Sequence, residues 1–424
     1  MSTDTSVIHS IDRAACAALD AADPLAAFRE RFVLPEGVIY LDGNSLGALP
    51  KHTTAHVQRV ITAEWGTGLI RSWNDAGWFT KPVALGDRIA PLIGAAPGEV
   101  VLGDSTSASL FQAAVAAVRM RQGRRVVVSE RGSFPTDLYM LEAVQELLGG
   151  DGPLERRLIH DDGPTLGDVL DDDVAVVVLT HVDYRTGRMR DLAEVTRQVQ
   201  AAGALMLWDL CHSVGAVPVD LNAAGADFAI GCTYKYLNGG PGAPSFIWAA
   251  ERHHGDARPA LTGWHGHARP FDFELGYAPA DGITRFRVGT PQLLSMAALE
   301  ASLDIWGEVD LDAIREKSLR LTELFISLVD ARLAPWGVEV VSPRQSARRG
   351  SQVALRVDDG FAVMQALIER GVIGDFRAPD LMRFGFAPLY VSHADVWDAV
   401  ATLEDILSTE AWRDERFARR GAVT

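Results

Sequence analysis

Lys235 stands between two tyrosines in the stretch CTYKYLNGGPGAP, residues 232–244, with Asn238 and a glycine-rich turn just behind it. A lysine ammonium titrates near 10.4 and becomes a nucleophile only where its surroundings disfavour the charge. An aromatic, apolar setting is one place where such an amine can form a Schiff base with a carbonyl. The plainer reading is a stem laid on two rings with its head in water. The other reactive residues decide between them.

The segment VVLGDSTSASLFQAAV, residues 100–115, reads as a strand, a turn at Gly103-Asp104, and Ser105-Thr106-Ser107 opening an apolar helix. Free N–H groups at a helix start with hydroxyls beside them suit a phosphate or another anion, although Ser and Thr are also ordinary helix caps. No G-x-x-x-x-G-K-[ST] or G-x-G-x-x-G loop is present. In ALMLWDLCHSVG, residues 204–215, an apolar strand ends in Asp209, with His212 three residues on. A buried carboxylate there needs a partner, and a protonated ring nitrogen would serve. SFPTDLYM, residues 133–140, sets Phe134 at a helix entrance and Asp137 in its first turn.

A phosphate cradle, an aromatic ring, a carboxylate and a lysine together describe a site for pyridoxal phosphate. The lysine forms the Schiff base, the carboxylate keeps the pyridinium protonated, and the helix end holds the phosphate.

The elements that would position these residues alternate. Short β-branched runs at 124–130, 174–180, 204–210 and 227–233 are separated by amphipathic segments at 107–120, 135–148 and 191–203. Continuous apolar strands between such helices predict a mostly parallel sheet covered on both faces, whose ligands lie beyond the strands' carboxyl ends. Asp209 and Lys235 are separated by enough chain for one strand-to-strand excursion back to the same end. After about residue 300 the texture changes to long charged helices around strand candidates near 337–342 and 351–357. The expected division is an N-terminal segment, 1–54, joining a small α+β domain, 301–424, beside a large α/β domain, 55–300.

Length and composition are those of a two-domain globular chain: 424 residues, 48% hydrophobic, 23% charged. Forty basic against 56 acidic residues give a net charge of −16, which argues against nucleic acid or anionic membrane as a partner. No apolar run approaches the roughly 18 residues of a membrane span, and MSTDTSVIHS has no secretory pattern, so the expected location is cytoplasmic. Cys16, Cys211 and Cys232 show no metal or disulfide spacing and read as reduced thiols. His253, His254, His265 and His267 lie close together, but no carboxylate or cysteine spacing supports a metal, and none is expected. The glycines of 239–242 read as room for backbone to pass close to Lys235 rather than as an anion nest.

The segments YLDGNSLGALP (40–50), SFPTDLYM, WDLCHSVGAVPVDLN (208–222), CTYKYLNGGPGAP and MRFGFAPLY (382–390) closely resemble the kynureninases, across essentially the whole chain. The resemblance implies the fold-type-I architecture of the pyridoxal-phosphate-dependent transferases, related to the aspartate aminotransferases. It implies hydrolysis of L-kynurenine to anthranilate and L-alanine. Lys235 matches the lysine that holds the cofactor, and Tyr234 the phosphate-binding tyrosine and proton donor. Thr106 and Ser107 match the phosphate loop, Phe134 the stacked ring, Asp137 a polar contact at the ring. Asp209 and His212 match the ring-nitrogen carboxylate and its nearby histidine, and Thr180 a hydroxyl near the cofactor's phenolic oxygen. Trp264 and Thr290 match residues drawn from a second subunit, implying a homodimer with shared sites.

Arg383 matches the arginine that clamps the substrate α-carboxylate, a task suited to its bidentate fork. Ser45 and Trp73 fall at substrate-pocket positions. Animal members carry His and Asn where this chain has Trp73 and Thr290, which points to L-kynurenine over its 3-hydroxy derivative. Cysteine desulfurases and selenocysteine lyases share the Lys and Asp logic but attack with a later cysteine, and none follows Cys232 here. A cofactor-binding module without turnover is the rival of another kind; it would bind L-kynurenine and release nothing.

Overall fold

The computed structural model describes residues 12–150 and 152–419. Its larger sheet has seven strands: β1 (Val100–Leu102), β2 (Val126–Glu130), β3 (Glu155–Ile159), β4 (Val174–Thr180), β5 (Leu205–Asp209), β6 (Phe228–Gly231) and β7 (Phe246–Ala249). They run in the order β3-β2-β4-β5-β6-β7-β1. β7 alone is antiparallel, to both β6 and β1, so β1, β2, β4, β5 and β6 all end on the same side.

β4 is VAVVVLT and every residue of it is buried. Its side chains alternate between layers: Val177 and Leu179 join one apolar core, Val176 and Val178 the other. A strand buried on both faces needs this unbroken apolar run, and each fully buried Val or Leu contributes about 1.5–3 kcal/mol. Helices α1 (Thr106–Arg119) and α2 (Pro135–Leu148) cover one face through Leu110, Ala114, Leu141 and Val144. Helices α3 (Leu192–Ala201) and α4 (Leu293–Trp306) cover the other through Val199, Met296, Leu299 and Leu303. Trp208, wholly buried on β5, donates its indole N–H to Thr196 at 3.0 Å, so the polar tip is satisfied.

Beyond residue 310 lies helix α5 (Leu311–Arg332) and an antiparallel sheet of β8 (Glu339–Val340), β9 (Gln352–Arg356), β10 (Asp375–Arg377) and β11 (Leu381–Gly385), ordered β8-β9-β11-β10. Helices α6 (Gly360–Glu369) and α7 (His393–Ser408) pack with it, α7 opened by a capping box of Ser392 and Asp395. Asp375 and Ala354 both pair with Arg383 in register, and Gln352 with Gly385. With a two-residue repeat, Gln352, Asp375, Arg377 and Arg383 therefore share one face of the sheet.

The N-terminal segment threads between these parts. Ile39–Tyr40 pairs in parallel with Val372–Ile373, Arg13 bridges Asp398 at 2.7 Å, and Lys317 meets Asp23 at 2.6 Å. Gly47 N donates to the Tyr234 carbonyl at 2.8 Å, and a Cβ on Gly47 would stand 2.2 Å from the Lys235 carbonyl. Only glycine fits there.

Candidate active site

A cavity of about 440 Å³ opens at the shared carboxyl end of the large sheet. Each functional side chain reaches it from the residues just past a strand: Thr106 and Ser107 after β1, Phe134 and Asp137 after β2, Thr180 at the end of β4, Asp209 and His212 at β5, Tyr234 and Lys235 after β6. Ser45 and Arg383 line it from the N-terminal segment and β11.

Lys235 Nζ lies 2.8 Å from His212 Nε2 and 5.9 Å from the centre of the Tyr234 ring. His212 is fully enclosed; burial, then the charges of Lys235 and Arg383, hold its imidazole well below its ordinary value, so the ring is neutral. Its Nδ1 lies 3.0 Å from Gln352 Oε1. Asp209, 4% exposed, accepts from Cys211 N at 2.8 Å with one carboxylate oxygen. Burial, and then the nearby Asp209, push the Asp137 carboxyl well above the usual carboxylate range. Burial and that neighbour thus favour the protonated form of Asp137.

The hydroxyls of Thr106 and Thr180 are buried, line the cavity and have no hydrogen-bond partner among the described residues. Ser105 caps α1 by accepting from Ala108 N at 3.4 Å, and Ser107 pairs with Thr136 at 3.0 Å. A ligand with several acceptor oxygens would satisfy both threonines and the free N–H groups at the start of α1. Phe134 is half exposed on the cavity wall, edge-on to Tyr184 at 5.2 Å. The residues present therefore fit a phosphorylated, electron-poor ring that bears an aldehyde.

Arg383, 1% exposed, donates through Nε to Asp375 Oδ1 at 2.7 Å and through Nη2 to Asp375 Oδ2 and, at 3.1 Å, to Ser45 Oγ. Its Nη1 reaches the Tyr184 carbonyl. This count leaves one Nη1 N–H, beside the Nη2 N–H shared with Ser45, for an end-on carboxylate. Arg377 also pairs with Asp375, at 2.7 Å. Burial works against the Asp375 charge, yet Arg383 and Arg377 hold it below the usual range. Its neighbour Asp42 makes no ion pair among the described residues; burial and the Asp375 charge outweigh the pull of Arg383 and Arg377 and raise it to about 7.

Trp73, Trp264 and Thr290 do not line this cavity. Trp73 and Trp264 pack together at 6.4 Å, with His265, Phe79 and Phe271 around them. Thr290 lines an adjoining cavity of about 250 Å³ that shares Asp104 and Gln292 with the main one. Within one chain, then, Trp73 lies outside this cavity and packs with Trp264. The four histidines go to separate partners: His253 to Asp227, His254 to the Ala249 carbonyl, His265 to Arg287 and His267 to the Gly276 carbonyl. Asp375, Arg377, Gln352, Asp42 and Tyr184 went unread in the sequence. Tyr184 follows β4 closely enough that its place past a strand end was a usable signal.

A family model described as the kynureninase C-terminal domain matches residues 314–403. A kynureninase of Burkholderia pseudomallei strain 1106a is 56% identical over 411 residues, 96% of this chain and 98% of its own. One of Pseudomonas fluorescens is 51% identical over 413 residues, 96% of this chain and 99% of its own. The apo structure of a cysteine desulfurase from Thermococcus onnurineus NA1 aligns with a TM-score of 0.75 at 19% identity, over 90% of this chain and 98% of its own, a likeness of fold alone. That fold is the fold-type-I architecture of pyridoxal-phosphate enzymes. With more than half the residues identical to a kynureninase over nearly the full length, and a lysine, a carboxylate and an arginine meeting in one cavity, the chain belongs to the kynureninase family.

Proposed function

We propose that the chain hydrolyses the Cβ–Cγ bond of L-kynurenine to anthranilate and L-alanine, in tryptophan breakdown through kynurenine, with pyridoxal 5'-phosphate as cofactor. The observation that carries this reading is the meeting of Lys235, Asp209, Arg383 and two unpartnered hydroxyls in a single cavity of about 440 Å³.

Thr106, Ser107, the start of α1 and Tyr234 would hold the phosphate, and Asp209 would pair with a protonated ring nitrogen. Phe134 would offer its ring to the cofactor's, with Asp137, Thr180 and His212 as polar neighbours. Bound, the cofactor supplies an aldehyde that condenses with amines and a ring that accepts the electron pair of a carbanion. Lys235 is the amine that anchors it. As a free amine beside the substrate, Lys235 Nζ would be the base that takes the proton from Cα. Arg383, fixed by Asp375, holds the α-carboxylate end-on, with Ser45 beside it. Water adds to the aryl ketone, and Tyr234 moves the proton of the hydroxyl this forms at the γ-carbon. The Cβ–Cγ bond breaks with its electron pair left on Cβ, which is protonated to give L-alanine as anthranilate leaves.

The active form is a homodimer in which Trp264, Thr290 and Trp73 serve the partner's cavity. Supporting this, Trp264 is 40% exposed and continues through Phe271 to Phe273, itself 80% exposed, a large apolar surface for a lone chain to show to water. Trp73 and Thr290 set the preference for L-kynurenine over 3-hydroxykynurenine. Of the described residues, those within 1–54 belong with the small domain, 301–424, and those within 55–300 form the large one. Among the described residues no helix is long and apolar enough to cross a membrane; we place the protein in the cytoplasm.

The test is anthranilate fluorescence after mixing cofactor-loaded protein with L-kynurenine, with Lys235→Ala as control. The expected result is a rise that the Ala variant abolishes. Bound cofactor without any rise would refute the substrate assignment.

A further inference from the structure

The two nitrogens of His212 face different chemistry. Nε2 faces the Lys235 amine at 2.8 Å and Nδ1 faces Gln352 Oε1 at 3.0 Å. The Gln352 amide cannot turn round, because its nitrogen donates to the Tyr184 carbonyl at 2.9 Å and to the Asp183 carbonyl at 3.3 Å. An amide oxygen only accepts, so the hydrogen of the neutral ring must sit on Nδ1. The remaining nitrogen, Nε2, then carries a lone pair and accepts from the lysine. The other tautomer would set a ring N–H against the N–H groups of Lys235 and leave Oε1 facing a lone pair. Gln352 is 0% exposed, so no water offsets such a mismatch.

We propose that Gln352 is a positioning residue: it fixes the Nδ1–H tautomer of His212, which presents an uncharged acceptor to Lys235 Nζ and aims that amine into the cavity. The catalytic part of this role rests on Lys235 being the cofactor lysine; the tautomer does not. The same Tyr184 carbonyl that orients Gln352 also accepts from Arg383 Nη1. The carboxylate clamp and the lysine are therefore the two ends of one chain of hydrogen bonds, joined through Tyr184, Gln352 and His212.

The test uses the full chain without cofactor, labelled with [15N]histidine, with His212→Gln to assign the signal. In the wild type His212 Nδ1 should show the shift of a protonated ring nitrogen and Nε2 that of a bare one. Gln352→Met, similar in shape but without an acceptor, should lose that preference. Attachment of added pyridoxal phosphate, read from its visible absorption, should slow about tenfold to a hundredfold, with kcat falling alike and KM near wild type. A protonated Nε2 in the wild type, or an unchanged tautomer in the Met variant, overturns the proposal. If the Met variant does not fold, the wild-type spectrum alone decides. A wild type with the expected tautomer and cofactor attachment but no anthranilate would sink the substrate reading and leave the positioning role standing.

Discussion

Asp42 and Asp375 stand together near Arg383, and of the two only Asp375 is ion-paired with Arg377 and Arg383, whose charges act on Asp42 too weakly to offset its burial. One negative charge is comfortable there and two are not. Burial and Asp375 raise the Asp42 carboxyl from 3.8 to about 7. Because the folded value lies above the unfolded one, the folded chain binds this proton more tightly. Its stabilisation is complete below about pH 4 and is lost as pH climbs through 7. At about 1.4 kcal/mol per unit, the roughly three-unit rise amounts to about 4 kcal/mol lost by pH 8. Asp42→Asn keeps the shape and a donor but cannot ionise. Against wild type it should gain about 1.4 kcal/mol per pH unit between pH 4 and 7, then hold a constant lead. Urea unfolding of both proteins from pH 4 to 8 measures this. Two stability curves that stay parallel across that range would show that Asp42 does not titrate as the geometry requires.

Thr106→Val and Thr180→Val should each leave the cofactor-free melting temperature unchanged or slightly higher, since an unpartnered buried hydroxyl is lost. Each should weaken pyridoxal phosphate binding about fivefold to a hundredfold; equal affinity in a cofactor titration would remove these hydroxyls from the site. Arg383→Lys keeps the charge but not the fork, and KM for L-kynurenine should rise about tenfold to a hundredfold, as steady-state kinetics will show. If sites are shared, co-refolding Lys235→Ala with Trp264→Ala regenerates one native site per mixed dimer, and activity should return that neither variant has alone. Trp73→His with Thr290→Asn should raise kcat/KM for 3-hydroxykynurenine relative to L-kynurenine; an unmoved ratio would acquit both positions.

Much of the large domain was legible because its strands are buried on both faces and must be continuously apolar. VAVVVLT is β4 residue for residue, and α2 spans Pro135–Leu148 as its periodicity predicts. β3, at the sheet edge, reads ERRLI; its charged residues, an exposed Glu155 and half-buried Arg156 and Arg157, hide the strand. The antiparallel sense of β7 was invisible, since its apolar run is the same read in either direction. In the site, Asp209 and Lys235 could be placed together because β5 and β6 are neighbours. Gln352 could not, because it reaches His212 from 140 residues away, through the packing of one domain on another. Nor could the Asp375 hairpin, whose alternating charges resemble a solvated face until Arg383 is seen across the ladder from them.

The threading of the N-terminal segment has a consequence for synthesis. Its partners lie at Tyr234, Lys317, Val372 and Asp398, so the part made first has its anchors made last. The strands from Val100 to Ala249 can pair while the chain is still on the ribosome. Residues 12–50 must wait, and with them the passage of Gly47 against Lys235. A polypeptide halted near residue 340 would own the phosphate cradle and the lysine yet lack Gln352, Asp375 and Arg383. On the function proposed above, the newly made protein acquires its means of holding a cofactor before its means of holding a substrate.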